Sequence, residues 1–170
     1  VITLQMSNQR IPRWLTEGIS VYEEKLARPE WARGQDMVFA QMLNETGGIK
    51  LRDLNEAFTD PKTISIAYFE ASLLVDHIVQ AYGDDGLHKL IRAYAKGIDT
   101  EAAFKEALNT DFDQLQTGFD RTLDRSFGAL RKALSPRFRR GLAKTESLYG
   151  VGDASRAILK RLKSELPRVQ

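Results

Sequence analysis

Cysteine is absent from this 170-residue chain, and histidine occurs only as His77 and His88. Without cysteine there are no disulfides, no thiolate metal site and no cysteine nucleophile, so any bound transition metal must use nitrogen and oxygen ligands. The two histidines stand eleven residues apart, with a glycine break expected at Gly83 between them, and form no ligand pair. Apolar runs long enough to span a bilayer, about 20 residues, are also missing. There is no Gly-x-Ser-x-Gly, and Gly47-Gly48 lacks the lysine and serine or threonine of a phosphate-binding loop. Asp84-Asp85-Gly86 lacks the alternating acids and distal glutamate of a calcium loop and reads as a helix cap. The start at Val1 shows neither a basic-then-apolar signal segment nor an initiator methionine, as expected of an internal piece of a longer polypeptide.

What is present is helical punctuation. No stretch alternates like a strand, whereas apolar residues recur every three or four positions between glycines and prolines. Leu15, Ile19, Tyr22 and Leu26 form one stripe between Pro12 and Pro29. Shorter helices are expected over 36–44, through Met37, Val38, Phe39 and Met42, and over 51–58. The clearest helix runs from 64 to 82 with Ala67, Ala71, Leu74, Val75, Ile78 and Tyr82 on one face. Gly83 closes it, and Asp84 or Asp85 caps a successor striped by Leu87, Leu90, Ile91 and Tyr94 that stops at Gly97. A short helix follows over 101–108. Asp111 with Gln114 resembles a capping pair, opening a helix with Leu115, Phe119, Leu123 and Phe127 at spacing four.

The net charge of +2 conceals a division. Residues 1–130 carry 14 Lys and Arg against 20 Asp and Glu, and residues 131–170 carry 11 against 3, giving −6 followed by +8. The change of sign falls beside Ser135-Pro136, where proline disfavours helix for its predecessor. We therefore expect an all-α protein: a compact helical bundle over 1–134 followed by a basic helical hairpin over 135–170, with helices at 137–149 and 153–165.

The most informative run is Arg10-Ile-Pro-Arg-Trp-Leu-Thr-Glu-Gly-Ile-Ser-Val-Tyr-Glu-Glu24. Pro12, Trp14, Glu17, Gly18 and Tyr22 match, in residue type and spacing, the segment that follows the His-Glu-x-x-His helix in gluzincin, or peptidase MA-like, zinc metallopeptidases, and Val1-Ile-Thr-Leu-Gln resembles what directly follows the second histidine there. The resemblance covers roughly residues 1–128. It implies that Glu17 is the third zinc ligand, that the fold is the C-terminal helical subdomain of a zincin-like domain, and that the intact parent hydrolyses peptide or protein substrates with zinc. It also implies that Tyr68 stabilises the oxyanion of the tetrahedral intermediate. Taken alone, Glu17 is an acid near a helix start, where the macrodipole favours it, and Tyr68 is a ring at the edge of a buried helix. Ser20 and Glu24 lie near the Glu17 side and are left outside the site. Only the glutamate half of the ligand set is present, so this chain should be inactive by itself and hold no zinc tightly.

If the first residues end the active-site helix, Val1, Ile2 and Leu4 should pack against the bundle, and an apolar patch should be exposed near Trp14 and Glu17. Past Ser135, Leu148, Tyr149, Gly152, Ala157 and Pro167 resemble half of a tetratricopeptide repeat, which needs about three units to bury its apolar face. The basic side chains from Arg137 to Lys144 and from Arg156 to Lys163 read as a solvated helix surface more readily than as a nucleic-acid or lipid footprint, because the rest of the chain is acidic. The alternative to a peptidase fragment is a non-catalytic helical module whose C-terminal helices bind protein partners.

Overall fold

The computed structural model describes residues 2–29 and 35–135, and among these every regular element is helical. The expected C-terminal hairpin, its repeat-like residues and the packing of Val1 lie outside the described residues. In chain order the helices are α1 (Ile2–Met6), α2 (Arg13–Ala27), α3 (Gln35–Thr46), a 3-10 turn (Glu56–Phe58), α4 (Ile64–Ala95), α5 (Thr100–Leu108) and α6 (Phe112–Leu134). None is long and apolar enough to cross a membrane.

Helix α4 is the axis of the bundle. Ala67, Ala71, Leu74, Val75 and Ile78 are buried as the periodicity predicts, and so are Leu87, Leu90, Ile91 and Tyr94 beyond Gly83. Gly83, at φ 71° and ψ 172°, is the one non-helical residue between these halves. It breaks the helix without a loop, so Asp84 and Asp85 already lie in the next first turn. The expected side-chain cap is therefore not made, and Asp85 instead stands 4.0 Å from Lys89. Against α4 pack α2 and α5, while α3 lies on α6.

The α2–α4 crossing is close because Gly18 faces it. A Cβ at Gly18 would lie 2.8 Å from the Ala71 carbonyl oxygen, inside contact distance for any side chain. Rings fill the remaining gaps: Phe39 meets Phe69 and Phe127, each at 5.1 Å between centroids, tying α3, α4 and α6 together. Trp14 meets Phe104 at 6.2 Å, joining α2 to α5. Each fully buried ring contributes roughly 2–3 kcal/mol of apolar transfer. The last two helices both begin on capping carboxylates, Asp111 as expected and Asp99 in addition, with Asp99 accepting from the Ala102 N–H and Asp111 from the Gln114 N–H, both at 2.8 Å. Leu115, Phe119, Leu123 and Phe127 are all buried.

Further expectations are corrected. Residues 51–58 form turns and a single 3-10 turn. Leu51, Leu54 and Phe58 are buried at helical spacing, yet the Ile49 and Leu51 N–H groups bond to side chains of α4 and α6. Met37 and Val38 are exposed, because α3 turns Phe39, Ala40 and Leu43 inward. Leu26 is exposed at the end of α2, whose buried face is Trp14, Leu15 and Gly18. Ile2 and Leu4 are also exposed, at 72% and 40%, so α1 does not pack through them. Met6 makes that contact instead. Trp14 itself is buried, with its ring against Phe104.

Candidate functional site

The start of α2 is held from outside the helix. Pro12 is extended, at φ −67° and ψ 153°, and its carbonyl accepts from the Leu15 and Thr16 N–H groups. Pro12 has no capping side chain, and the Trp14 N–H donates instead to Asn55 Oδ1 at 3.3 Å. The loop before the 3-10 turn thus fixes where Arg13 and Glu17 project.

Glu17 lies one turn into α2 with its side chain 32% exposed, and its Oε1 is 3.6 Å from Arg13 Nε. Tyr68 sits in the second turn of α4, half-buried, its ring edge-on to Phe58 at 5.0 Å. Arg13 connects them. Its Nη2 donates to the Tyr68 hydroxyl at 3.5 Å and its Nη1 to the Phe58 carbonyl at 3.3 Å, with the guanidinium 5.5 Å above the Phe58 ring centre. The Tyr68 hydroxyl, followed by the Glu17 carboxylate, holds the Arg13 guanidinium above its ordinary range against some desolvation. The two residues singled out from sequence therefore meet at one cation.

Other candidates disperse. His77 is buried between α4 and α6, Nδ1 3.0 Å from Thr122 Oγ1, and burial lowers its pKa, with Asp76 opposing and Arg125 assisting. His88 is exposed on the second half of α4. Ser20 turns back onto the Thr16 carbonyl of its own helix. Among the described residues no three His, Cys, Asp or Glu side chains converge as a metal would require.

Sequence reasoning missed two polar residues. Arg13 carries a usable signal, standing at the i−4 position from Glu17 where a helix pairs side chains. Glu70 was the second: it falls on the apolar stripe of α4, between Ala67 and Leu74, and a charged residue there calls for an explanation. It is 1% exposed, and both carboxyl oxygens accept from the Ile49 N–H, at 3.1 and 3.0 Å. Burial pushes its pKa up to about 8; the Ile49 N–H and Lys50 oppose that shift and Asp120 adds to it. Gly48 makes room for the carboxyl, since a Cβ there would lie 3.0 Å from Oε1 and its φ is +90°.

Against known proteins, the family model described as the Peptidase MA superfamily matches residues 1–124 of the chain. No curated protein and no solved structure matches it.

Proposed function

Because the chain belongs to the peptidase MA superfamily over residues 1–124, we propose that it is the helical part of a gluzincin-like zinc metallopeptidase domain, with Glu17 supplying one zinc ligand and Tyr68 the oxyanion donor. The observation that carries this reading is the convergence of Glu17 and Tyr68, 51 positions apart in sequence, on the Arg13 guanidinium. A carboxylate that would hold the zinc and a phenol that would donate to the oxyanion beside it must share one face of the domain.

Zinc in a hydrolytic centre takes three protein ligands and one open position. The residues described here do not fit that set by themselves, for Glu17 has no second ligand beside it and faces a cation. The remaining donors would be the two histidines of a His-Glu-x-x-His helix, whose glutamate serves as general base in this class of chemistry. His77 and His88 cannot take that role, one being buried against Thr122 and the other exposed on a different part of α4. On this reading the intact parent cleaves peptide or protein substrates, and the present chain is inactive and binds zinc weakly.

The residues directly upstream of Val1 in the parent polypeptide test the proposal. We expect them to end in His-Glu-x-x-His, and Glu17→Gln in that longer polypeptide to abolish stoichiometric zinc binding measured by calorimetry. Absence of the motif, or zinc binding indifferent to Glu17, would overturn the reading in favour of a helical interaction module.

A further inference from the structure

Arg13 belongs to no part of the proposed chemistry, yet its guanidinium touches three separate elements: Glu17 on α2, the Phe58 carbonyl at the end of the 3-10 turn, and Tyr68 on α4. We propose that Arg13 is the positioning residue of this site, coupling the Glu17 carboxylate and the Tyr68 hydroxyl into one unit and turning the Tyr68 O–H outward. The inference rests on the roles given to Glu17 and Tyr68 above and adds the group that orients them.

A guanidinium only donates, so in its contact with Tyr68 the phenol oxygen must be the acceptor. The Tyr68 proton then lies away from Arg13 and is free to donate to an arriving oxygen. A negative oxygen developing beside Tyr68 would meet a pre-aimed O–H without waiting for a rotor to turn.

The scaffold beneath Arg13 is rigid enough to make this meaningful. Phe58 is 1% exposed and supports the guanidinium from below, while the Asn55 side chain fixes the first turn of α2 through the Trp14 N–H. The three polar contacts are 3.3, 3.5 and 3.6 Å, so the cation is shared among its acceptors and monopolised by none. A change at Glu17 should therefore redistribute the guanidinium toward Tyr68, which is the coupling the proposal requires. Lysine would serve these acceptors less well, because its three N–H donors radiate from one nitrogen and lack the fixed planar fork of the guanidinium.

A double-substitution cycle on this chain tests the proposal, with the ring Cζ resonance of isotopically labelled Tyr68 as readout and Tyr68→Phe for assignment. Arg13→Ala should shift that resonance, and so should Glu17→Gln alone. In the Arg13→Ala background Glu17→Gln should produce no further shift. Arg13→Lys should recover at most part of the wild-type position, and it carries the test if the alanine variant does not fold. Core amide signals from Leu15 and Ala71 should stay in place throughout, separating reorientation from unfolding. An unmoved Tyr68 resonance in Arg13→Ala, or an equal Glu17→Gln shift with and without Arg13, would overturn the proposal, while the metallopeptidase reading stands or falls separately on the upstream motif and on Glu17-dependent zinc binding in the parent. Coupling that persists in a parent shown to lack His-Glu-x-x-His would instead make Arg13 a structural bridge and overturn its positioning role together with that reading.

Discussion

Replacing Glu70 by glutamine should change how the stability of the bundle depends on pH. The carboxyl is almost wholly buried beneath the Gly48-Ile49 turn, and its pKa rises from 4.5 to about 8. A folded-state pKa above the unfolded one means that the folded protein keeps the proton longer. Stability from this group is then fully present below about pH 4.5, declines as pH rises, and is exhausted near about pH 8. The interval of about 3.5 units, at ~1.4 kcal/mol each, amounts to ~5 kcal/mol, of which ~3 kcal/mol is already lost at about pH 7. Asp120 on α6 and Lys50 in the loop face the same carboxyl with opposite effects, so neither removes the trend. Glutamine keeps an oxygen for the Ile49 N–H and does not titrate. We expect urea unfolding followed by far-UV circular dichroism to give similar midpoints for the two proteins near about pH 5, and a Glu70→Gln variant more stable by ~3 kcal/mol near about pH 7. A variant destabilised by the same amount at both pH values would refute the reasoning, because it would mean that the carboxylate is ionised in place and that only its shape and hydrogen bond matter.

Two further outcomes follow from the packing. Gly18→Ala should lower stability by roughly 1–3 kcal/mol in the same unfolding assay, because the added carbon meets the Ala71 carbonyl at 2.8 Å and the two helices must move apart. Asp111→Ala should cost about 1 kcal/mol and speed amide exchange at Gln114, whose N–H loses its cap, while Asp111→Asn should retain most of both.

The segment from Gly47 to Phe58 links these effects to the candidate site. Its Ile49 N–H is held by Glu70 of α4 and its Leu51 N–H by Gln116 of α6. Farther along, Asn55 holds the first turn of α2 and the Phe58 carbonyl receives Arg13. One irregular stretch thereby registers three helices against each other, and the placement of Arg13 and Glu17 depends on it. Gln116 also donates to Asp120 at 2.7 Å, so the neighbour that disfavours an ionised Glu70 belongs to the same network.

The periodicity of the chain was enough to place α2, both halves of α4, α5 and α6, with Gly83 and Gly97 as stops and Asp111 as a cap. Those signals are local: an apolar stripe, a left-handed glycine and a capping carboxylate each act within a few residues. The run from Pro12 to Tyr22 likewise carried the family within a dozen positions, and the match over residues 1–124 agrees with it. Tertiary structure alone decided the rest. Residues 51–58 have helical spacing but not helical backbone, because their polar groups and those just before them are engaged by groups 21 to 65 positions away. Ile2, Leu4, Leu26, Met37 and Val38 look like core residues in sequence and are exposed, since which side of a short helix is covered depends on the neighbour that arrives. Glu17 and Tyr68 could be named one at a time from the chain, but that they meet at Arg13 required the α2–α4 crossing, whose closeness depends on the missing side chain of Gly18.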